Sequence, residues 1–143
     1  MRNISEYITY GEAIKSETAI RKKIDNTPTT EATIAMVNVA EKIFEKVREH
    51  FGVPIAITSF YRSPRLNKAV GGSRTSQHVK GEALDMDADK YGKITNSQIF
   101  NYIKDNLEYD QLIWEYGNYD NPAWVHVSLK LCGANRKQII MIK

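Results

Sequence analysis

The most regular hydrophobic pattern in the chain lies between residues 29 and 52, where apolar side chains recur at steps of three and four. A threonine pair with Glu31 in the first turn opens this segment, and Gly52 follows its last turn, as is typical of a capped helix. The apolar positions are Ile34, Val37, Ala40, Phe44, Val47 and Phe51. We therefore expect one long helix that packs this stripe against the core.

Shorter periodic segments lie on both sides of this helix. Residues 1–28 predict an N-terminal arm packed on the domain, with short helices capped by Thr9 and Ser16, and Thr95 is expected to cap a later helix. Segments rich in β-branched and aromatic residues predict five strands, IAITSFYR, EALDMD, DQLIWEY, AWVHVSL and RKQIIMI. Because helices come mostly first and strands cluster later, the sequence favours an α+β fold with an antiparallel sheet packed against the long helix.

Length and composition bound the class of protein. The 143 residues fit one domain, residues 1–143, and 42% hydrophobic with 26% charged residues is typical of a soluble globular chain. No apolar run approaches the ~20 residues needed to span a bilayer, so membrane insertion is not expected. The single cysteine, Cys132, excludes an internal disulfide and a cysteine-based zinc cluster, and we expect it to be buried near the last strand.

The formal charge of +3 and the pI of about 8.9 indicate a slight excess of basic side chains. They fit a solvated surface or attraction to an anionic polymer such as nucleic acid or cell wall, and the charge alone does not decide between these. The chain has no glycine-rich phosphate loop and no basic-aromatic stripe. The first residues, MRNISEYITYGEAIK, contain no apolar signal-peptide core, so we expect synthesis in the cytoplasm.

Two short segments carry the candidate chemistry. The first, SQHVKGEALDMDAD at residues 76–89, holds His78 and three aspartates, and the second, AWVHVSL, holds His126. If the apolar residues of both strands face the core, alternation places Asp85 and His126 on the open face of the sheet. Were the two strands neighbours, these side chains would lie about 5–8 Å apart, and His78 in the preceding loop would complete a triangle.

Such a set suits a zinc ion. Two imidazoles and one carboxylate are typical ligands of a catalytic zinc site, which leaves a fourth position for water and acidifies it. By spacing alone, a polar loop followed by a solvated strand face stays open as the alternative. The third histidine, His50, lies at the end of the long helix, where we expect it to meet unpaired carbonyl groups.

The residues themselves resemble a known family. SQHVKGEALD at residues 76–85 and WVHVS at residues 124–128 are similar to the paired motifs of zinc peptidases of D-alanyl-D-alanine carboxypeptidase type, which include D,D-dipeptidases and phage endolysins cutting between L-alanine and D-glutamate. SFYRSPRLN, GGS and DQLIWEYG extend the similarity over nearly the whole chain. The resemblance implies a zinc fold of the D,D-peptidase and hedgehog type, one Zn²⁺ ion, a peptidoglycan peptide as substrate and no nucleic acid partner.

Matched positions imply roles for individual residues. His78, Asp85 and His126 correspond to the zinc ligands of the family. Arg62 corresponds to the arginine that stabilises the oxyanion, although a surface salt bridge at a strand end is the alternative. Ser76 corresponds to a serine that holds the substrate, although a loop serine also suits a turn cap.

The general base departs from the family pattern. Relatives carry a glutamate three residues, or a histidine two residues, before the second histidine, whereas this chain has Ala123 and Trp124 there. Glu115 is the predicted base because it matches an acidic position of compact relatives; an exposed strand-end residue is the alternative, and Asp120 is the second choice. Trp124 is expected to wall the groove. Asp87 is expected to orient a ligand histidine or to remain a solvated carboxylate.

These observations predict a monomeric zinc peptidase that hydrolyses amide bonds next to D-amino acids in peptidoglycan stem or cross-bridge peptides. Without a signal peptide, a phage or prophage lysin that reaches the cell wall through a holin or lysis is favoured over a cellular or secreted D,D-carboxypeptidase. The alternative from another class is an inactive zinc-containing module that binds cell wall or builds a virion, because the expected glutamate is missing.

Overall fold

The computed structural model describes residues 3–143, so the first two residues of the predicted arm lie outside the described part. The helices are α1 (Tyr10–Ile14), α2 (Glu17–Lys22), α3 (Thr30–Val39), α4 (Glu45–Phe51), α5 (Pro64–Ala69) and α6 (Asn96–Asn106). The strands are β1 (Ala56–Ser59), β2 (Ala83–Asp87), β3 (Gln111–Glu115), β4 (Trp124–Ser128) and β5 (Gln138–Ile142). The predicted caps are confirmed, since the side chains of Thr9, Ser16 and Thr95 accept hydrogen bonds from backbone N–H groups in the first turn of each helix.

The long regular helix expected after Thr29 is not found. The helical segment is 22 residues long and is divided into α3, a π-helical turn at Ala40–Phe44, and α4. A π-helical turn inserts an extra residue into the helical repeat, so the buried face shifts around the axis along the segment. The fully buried side chains include Met36, Val39, Ala40, Ile43, Phe44 and Val47. The predicted stripe is therefore wrong at its start, where Ile34 is 52% exposed.

The five strands form one mixed sheet in the order β1-β2-β4-β3-β5. The first three pairings are antiparallel, but β5 runs parallel to β3. The expectation of a fully antiparallel sheet is thus wrong, because the chain between β4 and β5 crosses to the far side of β3 instead of turning back as a hairpin. A mixed α+β architecture with a five-stranded sheet is what the chain adopts.

The two faces of the sheet have different chemistry. One face contributes a row of fully buried side chains to the core, among them Leu84 and Met86 of β2 and Val125 and Val127 of β4, and the helices cover it. Since side chains alternate along a strand, the residues between these point to the opposite, open face. The open face therefore carries the polar residues of both motifs.

Three further observations complete this description. Within residues 3–143, no helix is both long and apolar enough to cross a bilayer. Cys132 is exposed in the loop before β5, so the prediction that it is buried is wrong. His50 lies in the last turn of α4 and stacks on the ring of Tyr102 with a centroid distance of 4.0 Å.

Gly81, which precedes β2, allows a test of how tightly the loop before β2 is held on α3. It has a φ of 75°, and a Cβ there would collide with the carbonyl oxygen of Ala32. We expect Gly81→Ala to lower the free energy of unfolding by about 3 kcal/mol, because left-handed strain and overpacking add. Denaturant unfolding measures the loss.

Gly92→Ala is the matched control for this substitution. Gly92 has a φ of 67°, but no atom lies within 4 Å of the position of its Cβ, so only the strain remains. We expect a loss of about 1 kcal/mol. Equal losses in the two variants would contradict the role of the close approach to Ala32.

Candidate metal centre

The register between β2 and β4 brings the two motif segments together. Asp85 lies directly opposite His126, as the alternation of the two strands predicts for neighbouring strands. The Nδ1 atom of His126 lies 2.9 Å from Oδ1 of Asp85, although the two residues are 41 positions apart. The cross-strand pair is therefore a product of the sheet: the alternation only permitted this pairing, and the structure shows that the two strands are neighbours.

His78 reaches the same point from the loop before β2. Its imidazole is buried, and its Nδ1 donates a hydrogen bond of 2.7 Å to the carbonyl oxygen of Phe60. A carbonyl oxygen only accepts, so this bond keeps the proton on Nδ1 and leaves the lone pair of Nε2 free. Nε2 points at the aspartate and lies 3.4 Å from Oδ2 of Asp85.

The three side chains fit a single metal ion. One ligand atom from each of His78, Asp85 and His126 lies within 4.8 Å of the others. Tetrahedral zinc with bonds of about 2.0–2.2 Å requires ligand atoms about 3.4 Å apart, close to the distances found. The backbone hydrogen bond of His78 is also the kind of support that orients a ligand imidazole.

The carboxylate of this group is held in its charged form. Burial on its own would raise the pKa of Asp85, but the hydrogen bond from His126, together with the nearby imidazole of His78, holds the pKa well below its ordinary value. An ionised carboxylate between two imidazoles is a ready ligand set for a divalent cation, because metal binding then requires no deprotonation of Asp85.

Arg62 lies between β1 and α5, beside the three candidate ligands His78, Asp85 and His126, which we call the metal group. Its Nη2 donates to Oγ of Ser76 at 3.3 Å, and its backbone N–H donates to the carbonyl oxygen of His78 at 3.2 Å. Its Nε is buried without a partner within the described residues. Burial lowers the pKa of Arg62, while the charges of Asp85 and Glu115 oppose that shift. A guanidinium with an unused donor beside the metal group is suited to bind an anionic oxygen.

Ser76 has two contacts that bear on its expected roles. Its Oγ accepts from Arg62 and from the backbone N–H of His78, the latter at 3.2 Å. The serine therefore caps the turn that carries His78, which was the alternative expectation. It also lines the cavity above the metal group, where a substrate would lie.

Glu115 of β3 lies opposite Trp124 of β4, and Trp124 is two residues before His126 on the same strand. Both are partly exposed and line the same cavity. Burial raises the pKa of Glu115, and the negative charge of Asp85 adds to the shift, against the opposing effect of the basic groups nearby. The ring of Trp124 lies 5.2 Å from that of Tyr116, so the two aromatic side chains form one wall.

Asp87 does not have the contact that sequence reasoning expected. Its Oδ1 accepts from the backbone N–H of Asp89 and from Nδ2 of the fully buried Asn96, rather than from a ligand histidine. Asn96 also donates to the carbonyl oxygens of Pro122 and Ala123. Asp87 therefore helps to join the end of β2 to the loop before β4, because the side chain bends toward α6.

Asp120 is exposed in the turn between β3 and β4, where its backbone N–H donates to the side chain of Asn118. It is not among the residues that line the cavity around the metal group. The geometry thus favours Glu115 over the second choice for a proton-transferring carboxylate.

Sequence reasoning missed a residue of the N-terminal arm. Asn26 is buried, its Nδ2 donates to the carbonyl oxygens of Ile14 and Tyr61, and its Oδ1 accepts from the backbone N–H of Ser63 at 2.7 Å. These bonds hold the backbone on both sides of Arg62. No motif marked Asn26, since its partners become neighbours only after folding.

A second missed anchor holds the histidine loop from the other side. Asp110 is fully buried, and its carboxylate accepts from Nε2 of Gln77 at 3.0 Å and from Nη2 of Arg136 at 2.7 Å. Hydrogen bonds from the guanidinium of Arg136 hold the pKa of Asp110 well below its ordinary value. Asp110 belongs to DQLIWEYG, whose similarity to the family was visible, but Arg136 had no sequence signal.

The metal group opens into a cavity of about 1160 Å³ on the open face of the sheet, which we call the site cavity. It is lined by parts of four strands and by the loop of residues 70–78. Its charged side chains outside the metal group are Arg62, Lys80, Glu82, Glu115, Lys130 and Arg136. The three side chains that could hold a metal ion therefore line an accessible polar cleft, an arrangement suited to hydrolysis of a peptide.

Comparison with known families agrees with this class. The family model described as Peptidase M15 matches residues 6–128. The match covers most of the chain, so the chain belongs to the M15 peptidases, the metallopeptidases of zinc D-alanyl-D-alanine carboxypeptidase type. The resemblance inferred from the paired motifs is thereby confirmed. A search of curated proteins finds no match.

The anchor at Asp110 predicts a pH dependence of stability. Because its pKa is lowered in the folded state, the carboxylate stabilises the fold above the unfolded value of about 3.9, and this contribution is lost as the pH falls toward the folded value. We expect Asp110→Asn to lower the free energy of unfolding at pH 7 by about 2 kcal/mol and to flatten this acid loss. Chemical denaturation between pH 3 and about 7 measures both.

Asp105→Asn serves as the control, because Asp105 is exposed on α6. We expect it to change stability by less than about 0.5 kcal/mol at either pH. A difference between Asp110→Asn and the wild type that stays constant from pH 7 to pH 3 would contradict the electrostatic account.

Proposed function

We propose that this protein is a zinc-dependent peptidase that hydrolyses amide bonds next to D-amino acids in peptidoglycan stem or cross-bridge peptides. The observation that carries the proposal is the convergence of His78, Asp85 and His126 beneath an open cleft, with Arg62 beside them. Membership of the M15 peptidases and an architecture compatible with a D,D-peptidase fold support it.

The three residues of the metal group would hold the zinc ion. Zinc bound there would supply Lewis acidity, which polarises a carbonyl group and acidifies a water molecule. His78 contributes Nε2 because its Nδ1 is committed to Phe60, and the carboxylate of Asp85 offsets part of the metal charge.

Arg62 binds the oxygen that becomes negative when the peptide carbonyl is attacked. Its position is held by bonds to the backbone of His78 and to Ser76, so the guanidinium is oriented before substrate arrives. A donor that needs no reorganisation stabilises developing charge more than a mobile one. Ser76 and Trp124 border the path of the peptide and contribute to holding it.

Glu115 takes the proton of the attacking water and passes it to the leaving amine. Its raised pKa suits this task, because a more basic carboxylate takes the proton of the water more readily, while the leaving amine is a stronger base still and accepts that proton in turn. Glu115 on β3 is the diagonal neighbour of His126 on β4. Diagonal positions on neighbouring strands lie about 7–8 Å apart, which a long side chain such as glutamate can span to reach a water molecule beside the metal group.

The substrate and the setting follow from the same proposal. The chain acts as one monomeric domain on cell wall peptides, without a nucleic acid partner or membrane insertion. A phage or prophage lysin, made in the cytoplasm and released to the cell wall by a holin or by lysis, fits best; a cellular D,D-carboxypeptidase is the close alternative.

Metal analysis and digestion of purified peptidoglycan test the proposal together. We expect one zinc per chain, release of new amino groups from peptidoglycan, and loss of that release on chelation or in His126→Ala. Asp85→Ala should bind less zinc, because one of three protein ligands is removed. Stoichiometric zinc without any bond cleavage would instead support the inactive binding or structural module.

Glu115→Gln tests the proton transfer. We expect the variant to retain zinc but to lose about 10²-fold or more in kcat on a peptidoglycan peptide, since the amide cannot accept the proton. Because the base acts deprotonated and its pKa is raised, the wild-type rate should fall as the pH drops through that value, and the variant should lack this limb. Steady-state kinetics across pH measures both.

Asp120→Asn is the matched control, because it removes a carboxylate from the turn after β3 without touching the cavity. It should keep full activity. Full activity in Glu115→Gln together with a loss in Asp120→Asn would transfer the proton-transfer role to Asp120.

A further inference from the structure

Two of the segments that carry the family resemblance, SFYRSPRLN and GGS, meet at the guanidinium of Arg62. Asn67 ends the first segment and lies in α5, and Gly72 belongs to the second. Asn67 is only 5% exposed, although it takes no part in the chemistry assigned to the metal group, Arg62 and Glu115. A buried polar side chain is normally satisfied by specific partners, so the partners of Asn67 indicate its task.

Asn67 holds the start of the loop that lines one side of the site cavity. Its backbone carbonyl oxygen accepts from the N–H of Gly72 at 2.9 Å, and its Nδ2 donates to the carbonyl oxygen of Ser73 at 2.8 Å. The carbonyl oxygen of Ser73 also accepts from the N–H of Ser76 at 3.0 Å, and Oγ of Ser76 accepts from Nη2 of Arg62. Hydrogen bonds therefore connect Asn67 to the guanidinium through the loop.

The side chain of Asn67 also approaches the guanidinium directly, at Gly72. A Cβ on Gly72 would collide with Oδ1 of Asn67 and would lie 3.2 Å from Nη1 of Arg62. The φ of Gly72 is not positive, so the close approach, and not the backbone conformation, requires a glycine here. The loop, the amide and the guanidinium thus converge on one point.

The orientation of the Asn67 amide follows from its partners. Nδ2 donates to the carbonyl oxygen of Ser73, which only accepts, so Oδ1 points to the other side, towards Gly72. Among residues 3–143, this buried Oδ1 has no hydrogen-bond partner. An amide oxygen without a donor is stabilised by a neighbouring cation, and the guanidinium of Arg62 is the cation that borders the same point.

We propose that Asn67 is a positioning residue for the reaction. Together with Gly72 it fixes the loop of residues 72–76 on Arg62, and it thereby holds the guanidinium where the peptide carbonyl oxygen becomes negative. The inference rests on the proposed function, which gives Arg62 that task. Asn67 does not line the site cavity, so it acts through Arg62 and not on the substrate. A donor stabilises developing charge only when it is held in place before the reaction.

Hydrogen exchange at Arg62 measures this positioning without turnover. Nε of Arg62 is buried, so its N–H should exchange slowly with water, and its NMR signal is the one that Arg62→Lys removes. We expect Asn67→Ala to accelerate the exchange by about tenfold or more, because the loop covers the guanidinium less firmly. Unchanged exchange in Asn67→Ala would overturn the inference independently of any activity. So would exchange in the wild type as fast as that of an exposed arginine.

Kinetics tests whether Asn67 acts through Arg62. We expect Asn67→Ala to keep zinc and to lower kcat on a peptidoglycan peptide by about tenfold or more, with KM changed by less than about threefold, because the guanidinium acts mainly in the transition state. In an Arg62→Ala background, the same substitution should lower kcat by less than about threefold, since residues that act as one unit are not additive.

The kinetic outcomes separate this inference from the proposed function. Equal losses from Asn67→Ala in the two backgrounds would indicate a general structural role and would overturn the inference, while leaving the proposed function intact. Full activity in Arg62→Ala would overturn the role of Arg62 and the inference with it. A zinc-loaded wild type that cleaves no peptidoglycan peptide would overturn the proposed function itself, and with it the inference.

Lys68→Ala is the matched control on α5. Lys68 follows Asn67 in the sequence, but it is exposed and does not line the site cavity. This variant should match the wild type in kcat and in the exchange of the Arg62 N–H. A loss as large as that in Asn67→Ala would show that any change in α5 disturbs the site, and would overturn the specific role of Asn67.

Gly72→Ala tests the same contact from the loop and replaces Asn67→Ala if that variant does not fold. The added methyl group has to displace the amide or the guanidinium, so we expect zinc to be kept and kcat to fall by about tenfold. Gly11→Ala is its control, because the φ of Gly11 is not positive either and the nearest atom lies 4.0 Å from its Cβ position. Wild-type kcat in Gly72→Ala would overturn the inference.

Discussion

The register between β2 and β4 is the constraint on which the site depends. Asp85 and His126 share the open face only because Leu84, Met86, Val125 and Val127 are buried on the other. A slip of one residue in either strand would turn its polar side chain into the core and expose its apolar set. Burial of the apolar face thus sets the register of the two candidate metal ligands, and their own hydrogen bond forms within that register.

His78 and Arg62 are positioned by hydrogen bonds between the segment after β1 and the loop before β2. The imidazole of His78 donates to the carbonyl oxygen of Phe60, and the backbone N–H of Arg62 donates to the carbonyl oxygen of His78, so the two segments that carry the ligand and the guanidinium are bonded to each other. Asn26 and Asp110 then fix these loops from the arm and from the start of β3. Segments far from the metal group in sequence therefore control the geometry of the site.

Features that depend on neighbouring residues were predictable from the sequence. Thr9, Ser16 and Thr95 cap helices because each side chain meets backbone groups three residues later. The strand alternation predicted which side chains share a face, and the paired motifs predicted the family. Features that depend on distant contacts were not: the π-helical turn, the parallel pairing of β5 and the hydrogen bonds of Asp87 all follow from how the elements pack.

The sequence by itself determined most helices and strands, the faces of the strands and the identity of the three candidate ligands. Local propensity, alternation and motifs depend only on residues that are close together in the chain. Only the tertiary structure decided that Asn26 and Arg136 support the site. These hydrogen bonds join residues from separate parts of the chain. The distances between those residues are fixed only when the strands pair into the sheet and the arm packs across its edge.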